Sequence, residues 1–186
     1  MIKKLKFRFL FAFIRAILYK IKYGSNIEIN PFKVYISSSV KIAISGNGRI
    51  IIKSEKDRVF ISRNTTIHCS SGVLEIGNGV FFNENNQIVC HESIVIGDDC
   101  MFGPNVCLYD SDHFFEDRDI LIRNQGYKKK KVVIGEDVWI GAGSVLTKGT
   151  IIGRHTVIGA NAVVRGILNG NSVYAGNPVK LLKELS

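Results

Sequence analysis

From Val132 to Val163 the apolar positions keep a beat of six, at Ile134, Ile140, Leu146, Ile152 and Ile158. Four of these five are followed by glycine (Gly135, Gly141, Gly153, Gly159). Four residues after each beat comes a small or β-branched residue: Val138, Ser144, Thr150, Thr156 and Ala162. A period of six fits neither the helical repeat nor the two-residue alternation of a half-buried strand. It predicts a parallel β-helix, in which each hexad is one short strand and one corner. The beat residue fills the prism, the small partner fits where the interior narrows, and glycine takes corner dihedrals that other residues resist.

The same beat runs through Ile76, Phe82 and Ile88, then resumes after two extra residues at Ile96, Phe102 and Leu108. Upstream, residues 27–72 alternate loosely, with a turn signal at Gly46-Asn47-Gly48. They predict short strands of irregular early coils, in a register the pattern does not fix. Between Tyr109 and Lys131 the beat is lost while remaining firm on both sides. That predicts an excursion over 109–131, and loops of this length in compact domains are usually functional. Pro178 is expected to end the solenoid, and 179–186 reads as a short helix capping the last coil. Leu182 and Leu185 would pack there, with Lys180 and Lys183 outward.

Residues 1–23 stand apart from the β-helix domain of 24–186. They hold seven Lys/Arg and no acid, and the first carboxylate is Glu28. On a helical wheel Lys4, Arg8, Arg15 and Lys22 share one stripe, and apolar residues cover most of the rest. The apolar run Phe9–Ile14 is broken by Arg15, too short for the roughly 20 residues a span needs. No A-x-A cleavage signal follows. The segment predicts a helix lying in a membrane interface, with its basic residues toward anionic head groups. The alternative is a helix packed on the β-helix or on a neighbouring subunit.

Charge and cysteines add little to the fold but narrow the partners. With 25 Lys+Arg against 16 Asp+Glu, the formal net charge is +9. That suits an anionic ligand or a membrane surface. Aromatic and basic residues interleave only at the N-terminus, which argues against a nucleic-acid platform. Cys69, Cys90, Cys100 and Cys107 show no CxxC pairing and no metal spacing, so no metal is expected, and a reduced cytoplasmic setting is the default.

The order DSDH, excursion, VVIGEDVWIGAGSV, VIGANAVV and VYAGNP resembles the hexapeptide-repeat O-acetyltransferases, over about residues 74–184. The resemblance is to galactoside, maltose and nodulation-factor acetyltransferases, and in style to capsule and O-antigen polysaccharide acetyltransferases. It implies a left-handed parallel β-helix, a homotrimer, and acetyl-CoA lying between adjacent subunits. It implies His113 as catalytic general base, with Asp112 able to orient it. Asn83, Asn85, Asp112 and Trp139 would meet the acceptor, a sugar hydroxyl of a cell-surface polysaccharide. Trp139, Gly141, Ala142, Gly159, Ala160 and Arg165 would line the path of the CoA arm, and Lys180 and Lys183 would meet its phosphates. The chain departs from the family in GILNGNSV, which lacks the usual prolines, in its basic aromatic N-terminus, and in the tetralysine run Lys128–Lys131.

Other chemistries stay open at this point. An amino-sugar N-acetyltransferase or a small-molecule O-acetyltransferase would use the same base. A zinc carbonic anhydrase of this fold needs three histidines on one metal, and the H-x4-H pair is missing from the sequence. A non-enzymatic trimeric scaffold would not require DSDH or WIG. The protein is expected to be cytoplasmic, with peripheral contact to the inner face of the plasma membrane through residues 1–23.

Overall fold

The computed structural model describes residues 2–185, with side chains from residue 7 onward. Lys4 of the predicted basic stripe therefore lies outside the described side chains. A helix α1 (Ile2–Tyr23) leads into a solenoid of about seven turns. Each complete turn lays one strand on each of three parallel faces. The first face begins with Ile27–Glu28, the second with Val34–Ile36 and the third with Lys41–Ile44. The faces hold seven, eight and six strands.

The six-residue beat is the cross-section of this prism. Ile134, Ile140, Leu146, Ile152 and Ile158 are all buried, and so are Val138, Ser144, Thr150, Thr156 and Ala162. Like sits above like from coil to coil. Ile140 pairs in register with Phe102 below and Ile158 above, and the Phe82 and Phe102 rings stack at 4.6 Å. The buried hydroxyls are satisfied by carbonyls: Ser144 donates to Gly159 O, and Thr150 to Val164 O. At one corner the turn is made by Asn64, Asn85, Asn105, Gly143 and Asn161, all with φ near +60° to +70° or slightly below. Asparagine and glycine tolerate that left-handed conformation. Glycine is also required by closeness. A Cβ on Gly141 would lie 2.6 Å from Ala160 N of the next coil.

The early coils are regular too, in the register Ile27↔Ile50↔Leu74 and Ile42↔Ile67↔Ile88. Their repeats are longer than that of Trp139↔Val157, because four-residue strands and turns such as Gly46-Asn47-Gly48 add length. A ruler of six therefore misses them.

Helix α1 closes the lower end of the solenoid. In the first coil the N–H groups of Ser37 and Lys41 bond forward to Ile61 and Thr65 of the second coil. The alternate groups face away, and α1 meets them. Arg15 Nε donates to Ile36 O at 2.9 Å. The Tyr19 hydroxyl donates to Val40 O at 2.9 Å and accepts from Ile42 N at 3.2 Å, and the Tyr23 hydroxyl donates to Ile42 O at 3.0 Å. Ala12 and Ala16 are buried against the coil, their small side chains allowing close approach. An exposed row of strand donors and acceptors would otherwise template pairing with another chain.

The other end is closed differently from the expectation. Residues 179–185 do not form a helix, and Ser186 of that expectation lies outside the described residues. Lys180–Glu184 is a strand that folds back antiparallel on Ser172–Ala175. The last coil presents an unpaired edge, and satisfying it outweighs the helix preference of Leu-Leu-Lys-Glu-Leu. Leu182, expected to pack, is exposed. The excursion is also more ordered than a loop. Tyr109 still belongs to the third face, paired with Val89. Beyond it, Ser111–His113 pairs antiparallel with Tyr127–Lys129, and a single 3-10 turn (Ile122–Asn124) lies near the tip.

Candidate active site

The excursion leaves the solenoid at Asp110, whose side chain is fully buried. Its carboxylate accepts the backbone N–H groups of His91, Glu92 and Ser93 at 2.7 to 3.0 Å. A carboxylate out of water is stable only when its oxygens are filled in this way. The bonds clamp the root of the hairpin onto the corner of the coil below. Lys130 N donates back to Asp110 O at 2.9 Å, closing the neck.

Three residues on, His113 stands exposed on the hairpin, its ring against Tyr127 at 4.4 Å between centroids. Tyr127 also meets His91 edge-on at 4.8 Å. The Ser111 hydroxyl and His91 Nδ1 are 3.1 Å apart. Burial holds the His91 imidazole below the ordinary histidine range, helped by Lys129 and His113 and opposed by Asp110. Lys129 crosses this cluster, its ammonium donating to Ser71 Oγ and His91 O at 3.2 Å each. Asp112 alternates to the opposite side of its strand from His113, where its carboxylate pairs with Lys148.

The remaining candidates fall on other parts of the prism. Trp139 is half exposed on the second face, between Met101 and Val157. Gly141, Ala142, Gly159 and Ala160 follow it at the corner between second and third faces. Ala142 O accepts from Asn161 N one coil above. Asn83 and Asn85 lie at the same corner two coils below Ala142, where Asn85 Oδ1 accepts from Asn64 Nδ2 at 3.1 Å. Lys180 and Lys183, on the returning strand, sit in register with Ala175 and Val173 of the second face, on the Trp139 side of the molecule. Arg165 lies at the far end of the third face, at the corner that also carries Lys148 and the hairpin root.

The candidates thus separate into two groups within one chain. His113, Asp112 and Arg165 stand at one corner; Trp139, the Gly/Ala pairs, the asparagines and the two tail lysines stand at or beside another. The third face lies between, about five residues or roughly 15 Å wide at strand geometry. Asp110, Tyr127 and His91 escaped the sequence reading. The one signal available for Asp110 was its position as the first acid of Asp110-Ser111-Asp112-His113 at the loop root. All four cysteines are free, and burial pushes the Cys100 thiol up to about 12.

Known proteins share this architecture. The bacterial transferase hexapeptide family (six repeats) matches residues 131–166. The probable acetyltransferase Rv3034c of Mycobacterium tuberculosis is 37% identical over 125 residues, 67% of this chain and 42% of that protein. The galactoside O-acetyltransferase of Escherichia coli is 32% identical over 128 residues, 69% of this chain and 59% of that protein. The chain therefore spans about half the length of these relatives. Among solved structures, the N-acyltransferase AntD of Bacillus cereus, in complex with coenzyme A and dTDP-4-amino-4,6-dideoxyglucose, superposes with a TM-score of 0.73 at 22% identity, covering 92% of this chain and 89% of that one. A hexapeptide-repeat acetyltransferase of Vibrio cholerae gives 0.55 at 25% identity, with 80% and 73% covered. Residues 131–166 thus carry the bacterial transferase hexapeptide repeat, in a solenoid that the hexapeptide-repeat proteins share.

Proposed function

We propose that this protein transfers an acetyl group from acetyl-CoA to a sugar hydroxyl, in the making of a cell-surface polysaccharide, with His113 as general base. The observation that carries the reading is an exposed imidazole on a hairpin clamped by a buried carboxylate, in a chain whose relatives are named acetyltransferases. A neutral imidazole, with an unperturbed pKa of about 6.5, can take a proton near neutral pH. In the step proposed, His113 removes the acceptor hydroxyl proton as that oxygen attacks the thioester carbonyl. The carbon–sulfur bond breaks, the acetyl carbon is joined to the acceptor oxygen, and the leaving CoA thiolate receives the proton from the imidazolium. The reaction balances with no metal and no redox partner.

The separation of the candidate residues supports a site shared between copies. A second chain set against the third face would bring its Trp139, Ala142 and Ala160 opposite the first chain's His113, and three such contacts close a homotrimer. Trp139 would then flank acceptor and thioester, the Gly/Ala corner would let the pantetheine arm lie close to the backbone with Arg165 along its path, and Lys180 and Lys183 would meet the CoA phosphates. Asn83 and Asn85 would face the acceptor.

The test is thiol release from acetyl-CoA with and without sugar acceptors, followed by the stability of the product to mild alkali. Acceptor-dependent release of an alkali-labile ester is expected. An alkali-stable amide would shift the reading to amino-sugar N-acetylation, and no acceptor-dependent release from any sugar would remove it.

A further inference from the structure

The outward side of α1 carries an apolar stripe that the solenoid does not cover. Phe7, Leu10, Phe11, Ile14, Leu18 and Ile21 recur at helical spacing on one side, from 41% exposed at Ile14 to 74% at Ile21. The opposite side holds Ala12, Ala16, Tyr19 and Tyr23, which bind the first coil. The helix cannot turn its stripe inward without breaking the hydrogen bonds that close the solenoid. Among the described residues no helix is long and apolar enough to cross a membrane.

We propose that this fixed face docks on an anionic lipid surface, with α1 lying in the interface and the solenoid standing off it. Charge selects the occupant. The segment holds seven Lys/Arg and no acid before Glu28, and Arg8, Lys20 and Lys22 are exposed along the helix. Two copies set stripe to stripe would bring like charges together, whereas anionic head groups complement them. The place of the helix argues the same way. It closes the end of the solenoid, so subunits packed side by side do not cover its outer face. An open cleft of about 580 Å³ beside the stripe, between α1 and the first coil, extends the apolar surface through Phe13 and Phe32. Lys33 and Arg58 also line it.

The geometry sets a height. The hairpin leaves the fourth coil, three coils above the first, and adjacent strands are about 4.8 Å apart. With the helix about 10 Å across, His113 would stand roughly 25 Å above the lipid. On the acyl-transfer reading, an acceptor anchored in the same membrane is reached only if its polar part projects about that far. The docking itself does not depend on that reading.

The test is flotation of the full chain with phosphatidylcholine vesicles, with and without phosphatidylglycerol, at low and high salt. Partition into phosphatidylglycerol vesicles, weakened by salt and slight with phosphatidylcholine alone, is expected. Leu10→Gln, Leu18→Gln and Ile21→Gln together should lower that partition at least about tenfold, with melting temperature, oligomeric mass and thiol release unchanged. Should the triple variant melt early, Lys20→Glu with Lys22→Glu supplies the reading: lower partition supports docking and equal partition overturns it. Failure of the wild type to float with anionic vesicles would overturn the proposal. A drop in oligomeric mass in the triple variant would overturn it in favour of a second copy on the stripe.

Discussion

The coils and the hairpin that interrupts them are held by opposite means. In the coils each side chain is fixed by its counterparts one turn above and below, and buried apolar contact does the work over the whole length of the prism. The hairpin has almost nothing buried. Its strand residues range from half-buried to exposed, and polar bonds at its root tie it to the coil, chief among them the three that the buried Asp110 carboxylate accepts. Stability is thus spread over many interchangeable positions, while the proposed chemistry hangs on a few polar ties and one imidazole. Substitutions in the two regions should separate the two properties.

The largest effect tests that separation directly. His113→Ala should cut turnover by about 10²–10⁴, the usual worth of general-base assistance, while leaving the thermal midpoint and CoA binding as they were. Ile50→Ala, fully buried on the first face of the second coil between Ile27 and Leu74, should do the reverse. It should cost about 2–5 kcal/mol of stability by leaving a cavity, with turnover per folded molecule unchanged. Denaturant melts and steady-state rates on both variants decide the matter. If His113→Ala keeps its rate, the hairpin is not the seat of the chemistry.

Asp110→Asn should bridge the two regions with a smaller cost. The carboxylate presents two acceptor oxygens to three N–H donors and the neutral amide presents one, so at least one buried N–H is left without an acceptor. A loss of roughly 2–4 kcal/mol is expected, together with lower turnover, because the strand that carries His113 loses its root. Restored stability in denaturant-free buffer with unrestored turnover would show that the anchor positions the imidazole. A variant equal to the wild type in both would mean that the hairpin is held by other contacts.

The coils were legible in the sequence because a prism repeats the same packing problem every six residues. Ile134 to Ile158 and their small partners answer it with the same residue types, so the pattern survives in one chain. The excursion was legible as the place where the answer stops, and His113 as the residue at its root. Asp110, Tyr127 and His91 were not, because what makes each of them matter is a neighbour 17 or more residues away, brought close by corner lengths that vary from coil to coil. The C-terminal strand was misread for a related reason. Lys180–Glu184 has the composition of a helix, and only the open edge of the last coil, a long-range fact, makes it a strand. Asp112 was singled out beside His113, but neighbours on a strand point to opposite sides, and its carboxylate reaches Lys148 instead.

The smallest effect lies at the seam between the regions. His91 belongs to the coil, yet it touches Ser111 and Tyr127 of the hairpin. Burial is the largest cause of its lowered pKa. Lys129, His68 and His113 push the same way, and Asp110 opposes them. In the unfolded chain the imidazole returns to about 6.5. Below that pH the unfolded state binds more protons at this site than the folded one, so stability contributed by the neutral ring is present above about 6.5 and lost as pH falls. His91→Asn removes the titration while keeping a polar group at the corner. Between pH 7 and pH 5 the wild type should therefore lose stability more steeply than the variant, by an amount small beside the loss in Asp110→Asn. Parallel slopes would mean that the His91 ring takes up its proton as readily in the fold as out of it, and that the seam is open to water.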